Sequence, residues 1–378
     1  MKILNKAALP SGFKAEGISC GIKKSGKKDL ALIYSESIAT AAGVFTSNRI
    51  QAAPVKLSKN HLKDNKAQAI IVNSGNANCM TKAKGLKDAN EMAASVAKAL
   101  KIKNKDVLVA STGIIGKPLP IDKIKKGISS LTNNISKNGL NNVAAAIMTT
   151  DTEPKKVSLK LAIDGKVITI TGIAKGAGMI YPNMATMLSF IMTDLAIAPN
   201  ALKIALKNAV DNSFNCISID GCTSTNDMVL ILANGQARNK KINFGDQSFK
   251  VFLNSLNYVC LELAKKIVQD AEGATKFIQI KVRGAKDYPE AKKLAFAVAN
   301  SNLLKTAIFG ENRNLGRIFA ALGQTGINIS ENKIKVNCSS FKNKDIKMII
   351  DLNMGKSFAT VYTSDLSEEY VRINAAYN

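Results

Sequence analysis

The segment of the chain with the most reactive features is residues 175–188, KGAGMIYPNMATML. Gly176 and Gly178 allow backbone conformations that are closed to other residues, and a proline that fixes φ follows them. The small residue Ala185 then precedes the hydroxyl of Thr186. A strained peptide bond that is attacked by the next side chain needs these features. The Thr186 hydroxyl could therefore attack the Ala185 carbonyl to form an ester, whose hydrolysis would release a chain beginning at Thr186.

A chain that begins at Thr186 would carry its own general base. The reference pKa of a free α-amine is ~7.7–8.0, and this amine lies within reach of the hydroxyl of the same residue. A histidine base is not expected, because the chain has one histidine, His61, in a lysine-rich, loop-like stretch where we predict a solvated surface position. The alternative interpretation of residues 175–188 is a glycine-rich turn that leads into a strand, with Thr186 as a β-former.

The composition is that of a globular protein with an excess of positive charge. Hydrophobic residues make up 46% of the 378 residues and charged residues 21%, which argues against a disordered chain. The formal net charge of +25 could attract nucleic acid or anionic ligands. The basic residues are mostly dispersed lysines, and arginine is sparse, so we expect no nucleic-acid partner. A nucleic-acid-binding protein, the alternative from charge alone, would bind with steep salt dependence.

The cysteines and the N-terminus indicate a cytoplasmic protein. The six cysteines lack CxxC spacing, so we expect small core residues rather than disulfides or a zinc site. The apolar stretch at the N-terminus is interrupted by Asn5 and Lys6 and ends at Pro10, which is too short for a signal peptide. No uncharged apolar run approaches the ~20 residues that span a bilayer, so we expect no membrane partner.

The pattern of elements favours a layered α/β or α+β fold over a doubly wound sheet. Two strand-like runs, 157–163 and 167–173, are joined by Asp164-Gly165, a strong hairpin signal. Apolar residues between Leu86 and Leu100 repeat at three- and four-residue steps, as an amphipathic helix requires. Strands and helices come in clusters, and neither a GxGxxG turn nor a GxxxxGK[ST] loop occurs, so nucleotide-binding folds lose support.

Residues 175–188 closely resemble the cleavage-site motif of the ornithine acetyltransferase family, the glutamate N-acetyltransferases of arginine biosynthesis. The likeness extends in order through NSGNAN, STGIIG, TTDT, TSTND and DAEGATK. The matching blocks are 10–13, 21–23, 43–46, 52–55, 73–78, 111–116, 149–152, 175–188, 220–221, 223–227, 270–276, 305–310 and 370–375. Many blocks in one order over nearly the whole chain are more specific than any single motif.

This resemblance implies an αββα-type sandwich of the self-processing acetyltransferase and aminopeptidase-like class, with a smaller C-terminal α/β unit from about 276–378. It also implies self-cleavage into an α chain of residues 1–185 and a β chain of residues 186–378, paired as α2β2. The implied reaction moves acetyl from N-acetylornithine to glutamate through acetyl-Thr186. No metal or nucleotide cofactor is expected. Some family members also take acetyl from acetyl-CoA, which stays open here as a further co-substrate.

The resemblance also assigns roles to single residues. It places the oxyanion hole on Thr112 and Gly113, and a hydroxyl with a backbone N–H suits an acyl-transfer oxyanion. The substrate contacts fall on Thr149, Lys175, Thr186, Glu272 and Asn374. Lys175 would pair with a substrate carboxylate and Glu272 with an amino group, although each alone is more typical of a surface charge.

The chain departs from the family pattern at a few positions. Cys222 replaces a polar or acidic residue, Leu315 an aromatic one and Ala376 an acidic one. Members usually extend one residue beyond the position of Asn378, so only Asn374 is carried over from this end of the chain.

A second enzyme class fits the same residues. In a related self-processing aminopeptidase or amidase, water would accept the acyl group instead of glutamate. The matches at Glu272 and Asn374 favour the acetyltransferase, whereas rapid hydrolysis of acetylornithine without glutamate would favour the hydrolase.

Overall fold

The computed structural model describes residues 1–181 and 187–376, which form two compact units. The described residues of the first unit are 1–176, 187–215 and 223–264. Those of the second unit are 177–181, 216–222 and 265–376. The predicted cut between Ala185 and Thr186 lies outside the described residues, so the division into 1–185 and 186–378 stays a prediction.

A nine-stranded sheet forms the centre of the first unit, in the order β1-β6-β7-β8-β9-β3-β4-β5 with β2 paired to β3. Its strands are β1 (Lys2–Ile3), β2 (Phe13–Ile18), β3 (Leu30–Phe45), β4 (Lys66–Asn76), β5 (Val107–Ile114), β6 (Lys155–Ile163), β7 (Lys166–Lys175), β8 (Leu188–Thr193) and β9 (Met228–Ala233). Neighbours β4 and β5 are parallel, as are β8 and β9, and the other pairs are antiparallel.

The helices of the first unit have one apolar face each. They are α1 (Ala53–His61), α2 (Lys82–Leu100), α3 (Ile121–Asn134), α4 (Leu140–Ala146), α5 (Pro199–Asp211) and α6 (Gln247–Gln269), the last of which continues past residue 264. In α2 the buried residues Ala89, Met92, Ala93 and Val96 recur at three- and four-residue steps, as predicted from the sequence, whereas Leu86 of the predicted face is exposed.

Strand β3 divides the sheet into two layers. Its first part pairs with β2 and β4, its last part pairs with β9, and its pairing with β4 is irregular between Tyr34 and Ala39. The alternation of side chains along the strands then fills the space between the layers. Ile33 and Val72 from one layer share a core with Phe190 and Leu230 from the other.

The outer faces of the two layers carry the helices. Leu32 and Ile71 pack in one core with apolar residues of α2 and α3, such as Met92 and Ile128. On the other layer, Gly172 of β7 lies against Leu263 and Val259 of α6. The first unit is therefore an αββα sandwich, and the predicted layered fold class is confirmed.

The hairpin predicted at Asp164-Gly165 joins β6 to β7. Both residues have positive φ, 50° and 74°, which matches the twist of the flanking strands. The turn sets the register so that β7 ends at Lys175, directly opposite Leu188 of β8.

The second unit is a smaller α/β domain. Its four-stranded sheet has the order β11-β12-β10-β13, and β10 runs parallel to β12 and antiparallel to β13. Its elements are β10 (Phe277–Ala285), α7 (Tyr288–Ala299), α8 (Asn302–Phe309), α9 (Gly316–Gly323), β11 (Lys335–Cys338), β12 (Asp345–Asp351), β13 (Ser357–Ser364) and α10 (Glu368–Ala376). Alternate residues Ile278, Ile280 and Val282 of β10 face the core that the helices cover.

One expectation about a side chain is wrong. His61 is the last residue of α1, not part of a solvated loop, and it is buried with its Nδ1 2.8 Å from the carbonyl oxygen of Val107. The lysines around it lie on the exposed side of the helix, whereas the ring meets β5.

The cysteines of the described part of the chain form no disulfides. Four are buried, Cys20 is half-buried and Cys222 is exposed. Among the described residues, no group of three or more His, Cys, Asp or Glu side chains could hold a metal ion. None of the helices in residues 1–181 and 187–376 combines the length and apolar character needed to cross a membrane.

The close approach of α6 to β7 predicts a steric requirement at residue 172. A Cβ there would lie 2.7 Å from Cδ1 of Leu263 and 2.9 Å from Cγ1 of Val259. We expect Gly172→Val to lower the free energy of unfolding by about 1–3 kcal/mol in urea titrations, because the added methyl groups overpack this contact. Gly323→Val, at a helical glycine with open space around it, is the control and should cost less than about 1 kcal/mol. Equal losses in the two variants would contradict this packing.

Candidate active site

The predicted oxyanion residues lie where the parallel strands β4 and β5 end. Thr112 is opposite Ser74 and Gly113 is opposite Gly75, and the register shifts at the next residue, Asn76. Gly113 has a φ of 129°, and a Cβ on it would lie 2.4 Å from the carbonyl carbon of Gly75. Only glycine allows the two backbones to approach so closely, which gives the predicted residue a structural reason.

The side chain of Asn226 holds this edge of the sheet. Its Nδ2 donates hydrogen bonds to the carbonyl oxygens of Ala77, at 2.6 Å, and Ser111, at 2.8 Å. Asn226 is buried, and Ser111 directly precedes Thr112. The loop before β9 is thereby fixed to the ends of β4 and β5.

Lys175, the last residue of β7, is buried rather than on the surface. Its Nζ lies 3.4 Å from Oγ1 of Thr149, so these two predicted substrate contacts are neighbours. A lysine in an interior position keeps its charge only if acidic or polar groups compensate for the lost water.

Asp151 supplies that compensation. One of its carboxylate oxygens is 2.6 Å from Nζ of Lys155 and accepts the N–H of Gly176 at 2.7 Å, and the other accepts the N–H of Thr149 at 3.0 Å. Burial alone would raise the pKa of Asp151, but the charges of Lys155 and Lys175 and the hydrogen bonds hold this pKa below its usual value. Asp151 is therefore an anion that orders the residues beside both Thr149 and Lys175.

The residue after the predicted nucleophile is held by a second buried carboxyl group. The N–H of Met187 donates to Oδ1 of Asp227 at 2.9 Å. Burial raises the pKa of Asp227 well above its usual range, and the charge of Lys175 opposes this rise. Thr186 itself and Ala185 lie outside the described residues.

Lys23 occupies the same end of the first unit. Its side chain would be 3.1 Å from a Cβ on Gly75, and its Nζ donates to the carbonyl oxygens of Met148 and Lys28 at 2.7 and 2.8 Å. Burial lowers the pKa of Lys23 to about 8, although Asp29 and Asp151 lie near enough to oppose the shift. This lysine adds positive charge beside the predicted oxyanion residues.

In the second unit, the two predicted substrate contacts are hydrogen-bonded to each other. Nδ2 of Asn374 donates to Oε2 of Glu272 at 2.8 Å. A Cβ on Gly178 would lie 2.3 Å from the same oxygen, so the glycine makes room for the carboxylate. The N–H of Glu272 also donates to the carbonyl oxygen of Ala177.

The segment that leads to the predicted cleavage site is fixed by Asp220. Its carboxylate accepts the N–H groups of Met179 and Ile180 at 2.6 and 2.9 Å and the hydroxyl of Tyr370 at 3.1 Å. Burial and the charge of Asp220 raise the pKa of Tyr370, so its hydroxyl stays a donor at neutral pH.

Sequence reasoning assigned no roles to Asp151, Asn226, Asp227 and Asp220. All four lie within blocks that carry the family resemblance, namely 149–152, 223–227 and 220–221. Their roles depend on contacts with residues 25 to 149 positions away in the chain, which local patterns do not reveal.

A model described as "ArgJ family" matches residues 14–378. The chain belongs to the ArgJ family. A relative from Caldanaerobacter subterraneus subsp. tengcongensis, named "Arginine biosynthesis bifunctional protein ArgJ", is 48% identical, and the alignment covers 100% of both chains. A protein of the same name numbered 1, from Clostridium acetobutylicum, is 45% identical over 100% of this chain and 99% of its own.

A solved structure, described as ornithine acetyltransferase complexed with ornithine from Mycobacterium tuberculosis, is 38% identical with a TM-score of 0.45. The match covers 48% of this chain and 97% of that one.

The buried ion pair between Asp151 and Lys155 predicts a large and acid-sensitive contribution to the free energy of unfolding. We expect Asp151→Asn to lower the free energy of unfolding at pH 7 by about 3–5 kcal/mol, because it leaves buried lysine charge uncompensated. A carboxyl whose folded pKa is depressed stabilises above its unfolded pKa of ~3.9 and loses that contribution as pH falls through the folded value. Urea titrations from pH 7 to pH 3 should therefore show a smaller acid-dependent loss in the variant than in the native chain.

The control for this variant is Asp64→Asn, which breaks an exposed pair with Lys105. It should leave stability nearly unchanged, because exposed pairs are screened by water. A loss in Asp151→Asn no larger than in this control would contradict the assigned ion pair.

Proposed function

We propose that this chain is an acetyltransferase of arginine biosynthesis that transfers acetyl from N-acetylornithine to glutamate and releases ornithine and N-acetylglutamate. The observation that carries the proposal is the family match over residues 14–378, together with full-length relatives whose name places them in arginine biosynthesis. The arrangement at the ends of β4, β5, β7, β8 and β9 supports it, because it gathers the polar groups that an acyl transfer needs.

The first step of the proposal is self-cleavage. The Thr186 hydroxyl loses its proton and attacks the Ala185 carbonyl carbon, the peptide C–N bond breaks, and the freed nitrogen takes up a proton. Water then hydrolyses the ester between Ala185 and Thr186. The products are the carboxylate of Ala185 and a chain whose first residue is Thr186, with a free α-amine and a free hydroxyl.

The second step is acetyl transfer in two halves. The α-amine of Thr186 removes the hydroxyl proton, the oxygen attacks the acetyl carbon of N-acetylornithine, and the nitrogen of ornithine leaves with a proton. The amino group of glutamate then attacks the acetyl ester and restores the hydroxyl. In both halves negative charge develops on the carbonyl oxygen, and we assign its stabilisation to Thr112 and Gly113.

We assign substrate recognition by the charge that each group carries. Thr149 and Lys175 are suited to a substrate carboxylate, with Asp151 fixing both. Glu272 and Asn374 are suited to a substrate amino group. The carboxylate of Glu272 accepts hydrogen bonds, and the side-chain amide of Asn374 already donates one to it. These four assignments and the role of Thr186 are proposals.

The proposal includes assembly and compartment. We propose that the chains 1–185 and 186–378 stay together as α2β2 in the cytoplasm. Acetyl-CoA stays open as a co-substrate, and an assay that compares it with N-acetylornithine as the donor decides the question. The free thiols in the described residues are consistent with a reducing compartment.

Cleavage at one bond is the most direct prediction of the proposed chemistry. The purified protein should run as two fragments under denaturing conditions, and N-terminal sequencing should give Met1 and Thr186 as first residues. Thr186→Ala should remain one intact and inactive chain, because alanine has no hydroxyl, whereas Thr186→Ser should be processed more slowly. An active preparation with Met1 as the sole first residue would contradict the cleavage.

A covalent acetyl-enzyme predicts ping-pong kinetics. Ornithine leaves before glutamate binds, so double-reciprocal plots at several fixed glutamate concentrations should be parallel. Intersecting plots would indicate direct transfer between two bound amino acids. Release of ornithine at the full rate without glutamate would instead identify a hydrolase.

A further inference from the structure

Two adjacent buried residues, Asn226 and Asp227, make side-chain hydrogen bonds to two different segments of the chain. Asn226 bonds to the edge that carries Thr112, and Asp227 bonds to the backbone that follows Thr186. We propose that these two residues are positioning residues, which set the separation between the nucleophile and the oxyanion donors in both self-cleavage and acetyl transfer. This inference rests on the proposed function, since it assumes that Thr186 is the nucleophile.

The contacts of Asn226 are suited to fixing position. Both protons of its amide are used, one on the carbonyl of Ala77 at 2.6 Å and one on that of Ser111 at 2.8 Å. Its own amide oxygen accepts the hydroxyl of Thr225 at 2.6 Å. A buried amide with every hydrogen-bonding group engaged has one orientation, so the carbonyl directly before Thr112 is held in place.

The backbone of Asp227 is hydrogen-bonded to Thr46, and its side chain is hydrogen-bonded to Met187, which directly precedes β8. Its carbonyl oxygen accepts the N–H of Thr46, at the end of β3, at 3.0 Å. Its Oδ1 accepts the N–H of Met187 at 2.9 Å, while its Oδ2 is buried and has no hydrogen-bond partner among the described residues. Burial raises the pKa of this carboxyl well above its usual value, and the N–H of Met187 and the charge of Lys175 oppose the rise.

The geometric consequence follows from the covalent chain. Successive Cα atoms are about 3.8 Å apart, and both side chains are held by short hydrogen bonds, so the pair acts as a spacer of fixed length. One end of the spacer is one residue before Thr112 and the other is one residue after Thr186. A displacement of about 1 Å between reacting groups can lower a rate by roughly 10²-fold, so the spacer controls rate more than binding.

The chain offers a matched control at the opposite end of β8. Asp194 is also buried, accepts the N–H groups of Thr169 and Ser11 at 2.8 and 3.2 Å, and has a pKa raised by burial. Asp194→Ala removes another buried carboxyl, at the end of β8 that is farther from Met187, and leaves the contacts of Asn226 and Asp227 intact. Comparing Asp194→Ala with Asp227→Ala therefore distinguishes a loss of stability from a loss of positioning.

The test compares Asp227→Ala, Asp227→Asn, Asn226→Ala, the double alanine variant and Asp194→Ala in the full-length chain. The readouts are the rate at which the intact chain gives two fragments, kcat and KM of the processed enzyme, and the thermal unfolding midpoint. We expect each single alanine variant at 226 or 227 to lower the cleavage rate and kcat by roughly 10²-fold with little change in KM. Asp227→Asn should recover most of this loss, because the amide keeps an acceptor oxygen for the N–H of Met187.

Two comparisons decide the outcome. If the pair is one spacer, the double variant should lose about as much as the worse single variant, whereas independent contacts would multiply to roughly 10⁴-fold. Asp194→Ala should lower the unfolding midpoint without the fall in kcat. The proposal is overturned if Asp194→Ala lowers kcat as much as Asp227→Ala at a similar unfolding midpoint, or if the double variant shows the multiplied loss.

Failure of this inference can be told apart from failure of the proposed function. Thr186→Ala is tested in parallel, and cleavage in that variant would overturn the proposed nucleophile itself. Cleavage that requires Thr186 but proceeds at the native rate in Asp227→Ala would overturn only the positioning role. If Asp227→Ala does not fold, Asn226→Ala and Asp227→Asn carry the same comparison, and native rates in Asn226→Ala would then contradict the proposal.

Discussion

The arrangement of the first unit depends on one strand that belongs to both of its β layers. The beginning of β3 is level with Asn73, near the end of β4, and its end is level with Met228, at the start of β9. Because Asn226 bonds to Ala77 and Ser111, these two regions lie together at one rim of the sandwich. The parallel pairs β4–β5 and β8–β9 therefore bring a strand end with Thr112 and a strand start after Thr186 to the same place.

This rim contains polar groups that a structure selected only for stability would not bury. Asp151 and Lys155 form an ion pair in the interior, and Lys175 is buried beside them. Asp227 is a buried carboxyl with one oxygen unpartnered among the described residues. Each such group lowers stability unless its partners compensate for the lost hydration. The apolar cores between the two layers and beneath α2 and α3 supply the stability that allows this concentration of charge. Perturbed pKa values in one cluster are typical of functional sites.

Local features of the fold can be predicted from the sequence, and long-range ones cannot. The Asp164-Gly165 hairpin and the periodic face of α2 follow from backbone preferences and side-chain spacing within short segments. His61 was misjudged because its burial depends on a strand 46 residues away. The same limit applies to Lys175, because the carboxylate of Asp151 that compensates for its buried charge comes close only in the folded chain. It also applies to Asn226, whose hydrogen-bond partners Ala77 and Ser111 are distant in the sequence. Motif resemblance located these blocks without giving their contacts, so the roles of Asn226 and Asp227 had to come from the structure.

In the proposed reaction, Thr186 carries the acetyl group between the two amino acids. Mass spectrometry of the separated chains, after incubation with N-acetylornithine alone, tests it directly. We expect one acetyl group on the chain that begins at Thr186, located on that residue by fragmentation and lost when glutamate is added. Steady transfer to glutamate with no acetyl group on that chain, or with the acetyl group on another residue, would contradict it.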